Sequence, residues 1–493
     1  MLSPTHRHPT VSRRSCDLHV FPHIIQGGMG VAVSGWRLAK AVAKCGELGV
    51  VSSTGIGYVF LARLWEGDEG GHLRRALATF PDQEAAKGLL DKYLGGQLVD
   101  GAPKYPYVRH PAVAPTLEQN RIDVMANYCE VWLAKEGHHG WVGINLMEKA
   151  QLTNLPSLFG ALLAGVDVVF MGAGIPFRIP GVLLGLAGYA AVEYPIHVTG
   201  ADKDETFATR FAPGEVFSLS AGRWPAIQVP LFFPVISSLV LAKALVKRAD
   251  GVVDGFIVEG HSAGGHSAPP RGAGPAVPGV APAYGPKDDV DIAGLAKLGL
   301  PFFLAGNQAD PSALEQAQAK GAHGIQVGTA FAFCDESGFR EDLKAEVRRQ
   351  AVAGTLDVRA DARASPTGFP FKVVQLKGTV SDAAVVEERE RLCDLGMLRE
   401  TYRKEGGGVG YRCPAEPEEH YQRKGGHADD TIGRVCLCNS LLSSCGVVRQ
   451  RMDGYEEPAL VTAGLSAAHI ADLVDEVTGR YSAVDVIRHL RAH

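Results

Sequence analysis

The stretch PFFLAGNQADPSALEQAQAKGAHGIQVGT, residues 301–329, decides the fold. It opens on an apolar run, residues 301–304, which gives way to Ala305-Gly306-Asn307. A helical run rich in Ala and Gln follows at 311–320, and a second apolar run, 324–327, ends in Gly328-Thr329. Short, nearly continuous apolar runs suit parallel strands buried on both faces. Strand, helix and strand, with glycine after each strand, make a βαβ unit.

The same rhythm recurs toward the N-terminus. Further candidate strands lie at 23–26, 50–53, 141–146, 166–171, 231–236 and 255–258, which brings the count to eight. Helical runs lie between most of them, among others at 36–45, 155–163 and 239–248. Eight alternations predict an α/β chain folded as a TIM (β/α)8 barrel with insertions and a C-terminal extension, rather than an open doubly wound sheet. The barrel is expected over 21–354, after a disordered N-terminal tail at 1–20. Its insertions are expected near 68–120, 194–220 and 266–286. The second is read as a hairpin with strands at 195–199 and 216–219; the third is a Pro/Gly/Ala-rich lid or flexible loop. From 355 to 493 the rhythm stops, in a Cys-containing extension with a final helix expected near 467–478.

The composition excludes several classes. Hydrophobic residues make up 46% and charged residues 21%, which is ordinary for a globular protein and argues against wholesale disorder. A net charge of −5 is not the footprint of a nucleic-acid binder. Arg13-Arg14 is followed by no apolar segment of a signal peptide, and the most apolar stretch, 155–177, is interrupted by Asp167, glycines and prolines. No membrane partner is expected, and the expected location is cytoplasmic. Nine cysteines, five of them between Cys393 and Cys445, do not resemble a small secreted disulfide framework. Cys393, Cys413, Cys436 and Cys438 lack paired knuckle spacing, so they are read as reduced structural thiols and no metal site is assigned. The extension is expected to wrap the barrel or to form an oligomer contact, which leaves a homo-oligomer open.

Glycine is the informative excess: 59 in 493 residues, or about 12% against a usual share of roughly 7%. Many of these glycines fall at strand ends: Gln26-Gly27-Gly28-Met29-Gly30, Gly172-Ala173-Gly174, Gly260 to His266, Gly306-Asn307 and Gly328-Thr329. In a barrel these ends share the catalytic face, and the loops after strands seven and eight form its usual phosphate site. Bare backbone there admits a flat or anionic ligand. A phosphate cradle beside a methionine suited to a planar ring points to FMN. Gly28-x-Gly30 lacks the third glycine and the acidic residue of a Rossmann fingerprint.

The chain resembles the nitronate monooxygenases over roughly 21–338. They share a barrel with flavin-dependent enoyl reductases. The resemblance rests on Ile24-Ile25-Gln26-Gly27-Gly28-Met29-Gly30, on Ala263-Gly264-Gly265-His266, and on Gly321 to Thr329. It implies non-covalent FMN, with Gln26, Gly27, Gly28 and Met29 at the flavin and Asn145 near its ring. Gly264 and Gly265 would pass close by, and Gly306, Asn307, Gly328 and Thr329 would hold the phosphate. It also implies His266 as the catalytic residue, a neutral imidazole able to take a proton from a carbon acid. His261 is a rival in the same loop, and Ser237 and Ser238 are read first as a helix cap. The leading expectation is an FMN-dependent oxidoreductase that oxidises small alkyl nitronates with O2 to a carbonyl compound and nitrite. The alternatives are an NAD(P)H-dependent enoyl thioester reductase and a non-catalytic flavin-binding module of a lipid or polyketide synthase. The chain departs from simpler members in having Ser262 where they carry Glu, and Asn307 where a second glycine is usual. With the insertion after His266, these departures pull toward the larger enoyl-reductase-like branch.

Overall fold

The computed structural model describes residues 11–492 apart from 97, 100–101, 104, 106–107, 219–223, 273, 275–276, 278 and 448–454. Eight parallel strands form one sheet. They are β1 (Ile24–Gln26), β2 (Gly49–Ser52), β3 (Val142–Met147), β4 (Val168–Gly172), β5 (Leu231–Ile236), β6 (Phe256–Glu259), β7 (Phe302–Ala305) and β8 (Gly324–Val327). Each overlaps an expected strand. The spatial order follows the chain from β2 to β8 and returns to β1. A parallel bridge from Ile25 to Leu48, just ahead of β2, closes the ring into a (β/α)8 barrel.

Alternation along the strands explains both the core and the site. Ile24, Val51, Val169, Phe232, Phe256 and Phe302 face the helices, and their chain neighbours Ile25, Val50, Phe170, Phe233, Ile257 and Phe303 fill the barrel. Phe21 closes the bottom, with its ring 4.9 Å from Trp141, 5.6 Å from Phe233 and 5.9 Å from Phe303. Large rings thus occupy the lower layer. Two residues further along the same strands, the inward positions are Gly27, Asn145, Gly172, Val235, Glu259, Ala305 and Gln326. All but Val235 are small or polar, so the barrel is packed below and open above.

Several expected features differ in detail. Residues 1–10 lie outside the described residues, but the rest of the expected tail is held. Ser12–Arg13 pairs in parallel with Gln228–Val229. Arg13 bonds Asp254 at 2.5 Å and Arg14 bonds Asp167 at 2.7 Å. The hairpin after β4 is present, but its strands are Val192–Pro195 and Ala208–Phe211. The run expected at 216–219 instead begins with the end of a short helix, Pro213–Val216, opened by a proline whose fixed φ favours a first helical position; residue 219 lies outside the described residues. The final helix is Ala483–Leu490, capped by Ser482, and the region near 467–478 holds only a 3-10 turn at Ala467–Ile470. Ser482 and Asp485 form a reciprocal capping box, which outweighs the Ala-rich run upstream.

The extension wraps back over the open end. A hairpin of β9 (Val358–Asp361) and β10 (Phe371–Val374) lies against the loop after β6, where His266 bridges Phe371. Among the described residues no helix is long and apolar enough to cross a membrane.

Candidate active site

A cavity of about 500 Å³ opens at the C-terminal ends of the strands. That volume lies within the usual range for a small-molecule or cofactor site. Gly27, Gly28, Met29, Asn145, Gly264, Gly265, His266, Gly306, Asn307, Gly328 and Thr329 all line it. Gln26 does not. It is fully buried, donates to Ser34 Oγ at 2.8 Å and accepts from the Val50 N–H at 3.0 Å, so it ties β1 to β2.

The glycines divide by physical reason. A Cβ on Gly28 would stand 2.2 Å from Asn145 Cβ, so this glycine serves the packing of β1 on β3. A Cβ on Gly264 would meet Gly464 N at 2.9 Å, a close approach to the extension. Gly306 needs its φ of +92°. Gly328 is different: a Cβ there would meet only Met29 Sδ, at 3.7 Å, so it would project into free space. Asn307, in place of the usual glycine, adopts φ 55°, a conformation Asn tolerates better than most residues. Among the described residues no acceptor meets the backbone N–H of Asn307 or Gly328. Two unmet donors beside an open Cβ position form a cradle with the chemistry an anionic phosphate needs.

The extension supplies the opposite wall. Thr462 Oγ1 accepts from Gly265 N–H at 3.0 Å and donates to Lys372 O at 2.7 Å. Gly464 N–H donates to Thr329 Oγ1 at 2.8 Å. Leu395, Met397, Leu398, Leu437 and Leu441 add an apolar face to the cavity.

His266 lies where the two walls meet. Its Nε2 is 2.7 Å from Ser365 Oγ, and Phe371 packs edge-on against the ring at 4.8 Å. Burial, with the Lys149 and Lys372 ammonium groups beside it, pushes its pKa well below the ordinary value. The imidazole is therefore neutral at physiological pH. Glu259, inward-facing at the end of β6, is pushed up to about 7 by burial, against the pull of Lys372 and Lys149. Burial also lowers Lys149 to about 7 and Lys372 to about 8, with Glu259 opposing both shifts. His261 stacks on Tyr284 at 4.3 Å, and Ser238 Oγ caps the following helix by accepting from Leu241 N–H at 3.1 Å.

Sequence reasoning missed Glu259, Gln326, Lys149, Ser365 and Thr462. The first two carried a signal, since each is a polar residue at an inward position of an apolar strand. Ser365 and Thr462 reach the site only through the wrapping of the extension. The nine cysteines are free thiols, with Cys413, Cys436 and Cys438 buried.

Residues 227–381 match the nitronate monooxygenase family model. The matched segment runs from β5 through β10, so the resemblance drawn from the motifs holds where His266 and the cradle lie. It supports an oxidoreductase. No curated protein matches the chain by sequence. Among solved structures, FabK from Thermotoga maritima is similar at 16% identity, with 96% of this chain and 94% of that one covered and a TM-score of 0.46. Nitroalkane oxidase from Streptomyces ansochromogenes is similar at 16% identity, covering 96% of each chain, with a TM-score of 0.41. The enoyl reductase domain of MlnA from Bacillus amyloliquefaciens is 11% identical, with 95% of this chain and 94% of that one covered and a TM-score of 0.46.

Proposed function

We propose that this protein is an FMN-dependent oxidoreductase of the nitronate monooxygenase type. The observation that carries this reading is the pairing of the β7–β8 cradle with a neutral His266 across one cavity. The cradle suits a phosphate: Asn307 and Gly328 offer unmet N–H donors, Thr329 a hydroxyl, and Gly306 close backbone approach. Gly27, Met29 and Asn145 would meet the ring system on the β1–β3 side. Bound there, FMN would supply the electron acceptor that no side chain of the site provides. His266 would take the proton of a small carbon acid such as a nitroalkane, or orient its nitronate. The apolar wall from the extension would exclude water from the reacting face.

A second reading is favoured by that same wall. Five Leu and Met side chains make an apolar surface suited to an acyl chain longer than a small nitronate needs. An enoyl thioester reductase using NAD(P)H would use the cavity in that way, with His266 orienting the thioester carbonyl. Oxygen uptake and nitrite release with alkyl nitronates support the first reading. NAD(P)H consumption with a crotonyl-type thioester, and none of nitronate, overturns it in favour of the second.

A further inference from the structure

His266 has poor prospects as an isolated base. An imidazolium at this position would lie beside two ammonium groups, Lys149 and Lys372, with burial adding to the cost. A proton taken from substrate must therefore move on. The structure provides a route. Ser365 Oγ lies 2.7 Å from His266 Nε2, Thr367 Oγ1 lies 2.8 Å from Ser365 Oγ, and Lys149 Nζ donates to Thr367 Oγ1 at 3.0 Å. Neighbouring groups fix its geometry. Arg434 holds the Ser365 carbonyl at 2.6 Å, the Thr367 N–H donates to Ser365 Oγ at 3.2 Å, and Lys149 Nζ sits 4.3 Å from the centre of the Phe369 ring. Among the described residues Nδ1 of His266 has no hydrogen-bond partner, and the residue lines the cavity.

We propose that Lys149 is the proton terminus of a relay through Thr367 and Ser365, and that its charge sets which tautomer of His266 faces the cavity. The proposal rests on the functional reading of His266 given above. With Lys149 as an ammonium, each hydroxyl proton points toward His266, Nε2 accepts, and Nδ1 carries the ring proton. With Lys149 as an amine the polarity reverses: Nε2–H donates to Ser365, and Nδ1 is bare. In this second state the substrate C–H bond breaks as Nδ1–H forms, and the electron pair stays on the substrate. The Nε2 proton passes to Ser365 Oγ, the Ser365 proton to Thr367 Oγ1, and the Thr367 proton to Lys149 Nζ. One proton has then moved from substrate to Lys149, no electron has moved, and His266 has exchanged one neutral tautomer for the other. The reverse direction serves protonation of a reduced enoyl substrate.

The charged and titratable groups facing Lys149 are Glu259 at the end of β6 and Cys438 in the helix Leu437–Ser444. Those facing His266 are Lys149 and Lys372, the latter on β10. A lysine balanced near neutrality can occupy both states of the relay.

The test reads the tautomer directly. The protein is labelled with 15N in its imidazoles, and the His266 signal is identified by its loss in H266Q. The tautomer ratio is then followed from about pH 5.5 to 9 in the wild type, K149M, T367V and T367S. The relay predicts a switch near neutrality in the wild type and in T367S, which keeps the hydroxyl, and a fixed ratio in K149M and T367V. A ratio that does not move with pH in the wild type, or moves equally in K149M and T367V, overturns the relay. Turnover is expected to fall about 10²-fold in T367V, toward the scale of general acid–base catalysis, and to recover in T367S. The tautomer measurement needs neither flavin nor substrate, so failure of the flavin reading and failure of the relay are separately visible.

Discussion

Replacing Gly328 by glutamate tests the cradle with a magnitude that can be worked from geometry. The backbone of Gly328 lies at φ −108° and ψ −66°, which admits an L side chain. A Cβ there meets nothing nearer than Met29 Sδ at 3.7 Å, so the substitution places its bulk in the cavity and leaves the fold intact. A carboxylate about 4 Å from a phosphate oxygen repels it by about 4 kcal/mol per charge pair at an effective dielectric of about 20. That is roughly 10³-fold in affinity, and more for a dianion. Gly328→Gln has nearly the same bulk without the charge, so the ratio between the two variants isolates the electrostatic part. Titration of the stripped protein with FMN, followed by quenching of flavin fluorescence at low salt, gives both dissociation constants. The glutamate variant is expected to bind at least about 10²-fold more weakly than the glutamine variant, after allowance for screening. Equal affinity in the two variants would refute the placement of the phosphate beside Gly328.

Other outcomes follow from the same geometry. His266→Ala should keep its flavin and lose about 10²–10⁴-fold in turnover, and wild-type steady-state rates would remove His266 from the chemistry. Lys372→Met should stabilise the protein at neutral pH, because the buried Lys372 Nζ has no hydrogen-bond partner among the described residues. Burial lowers the Lys372 pKa from 10.5 to about 8, so between those values the unfolded chain holds more protons and wild-type stability rises with pH. The cost is fully present below about pH 8, at roughly 3 kcal/mol, and gone above about pH 10.5. Denaturant titrations of both proteins at pH 7 and pH 10.5 should therefore converge at the higher pH, and an equal gap at both values would contradict the assignment. Gly28→Val should destabilise the barrel or prevent folding, because its Cβ would overlap Asn145 Cβ at 2.2 Å; an unchanged melting temperature would show that β1 and β3 can separate there.

The barrel was legible because its strands are buried on both faces, which turns each into a short apolar run, repeated eight times at helix-length spacing. The cavity-lining glycines were legible as positions but not as reasons. Gly28 and Gly264 are bare because Asn145 or backbone packs against them, whereas nothing packs against Gly328, whose Cβ would project into the open cavity. Glu259 and Gln326 follow from the period-two alternation once the inward parity of β6 and β8 is fixed by Ile257 and Gly324. Ser365, Thr367, Thr462 and Lys372 were not legible. They lie outside the barrel repeat, and contacts distant in the chain bring the extension onto the site: the antiparallel bridge between His266 and Phe371, and the hydrogen bonds from Gly265 to Thr462 and from Gly464 to Thr329. No local pattern in a sequence encodes that long-range contact. The hairpin after β4 shifted because Pro213 starts a helical turn where Val216 and Phe217 had the composition of a strand.

The proposed function requires that this barrel hold FMN at the ends of its strands. The most direct measurement is the visible absorbance spectrum of the purified protein, followed by identification of the small molecule released on denaturation. A flavin spectrum is expected, with FMN as the released species at about one per chain and bleaching under anaerobic conditions with a nitronate or NAD(P)H. A colourless protein that takes up no FMN when titrated with it would refute the flavin site.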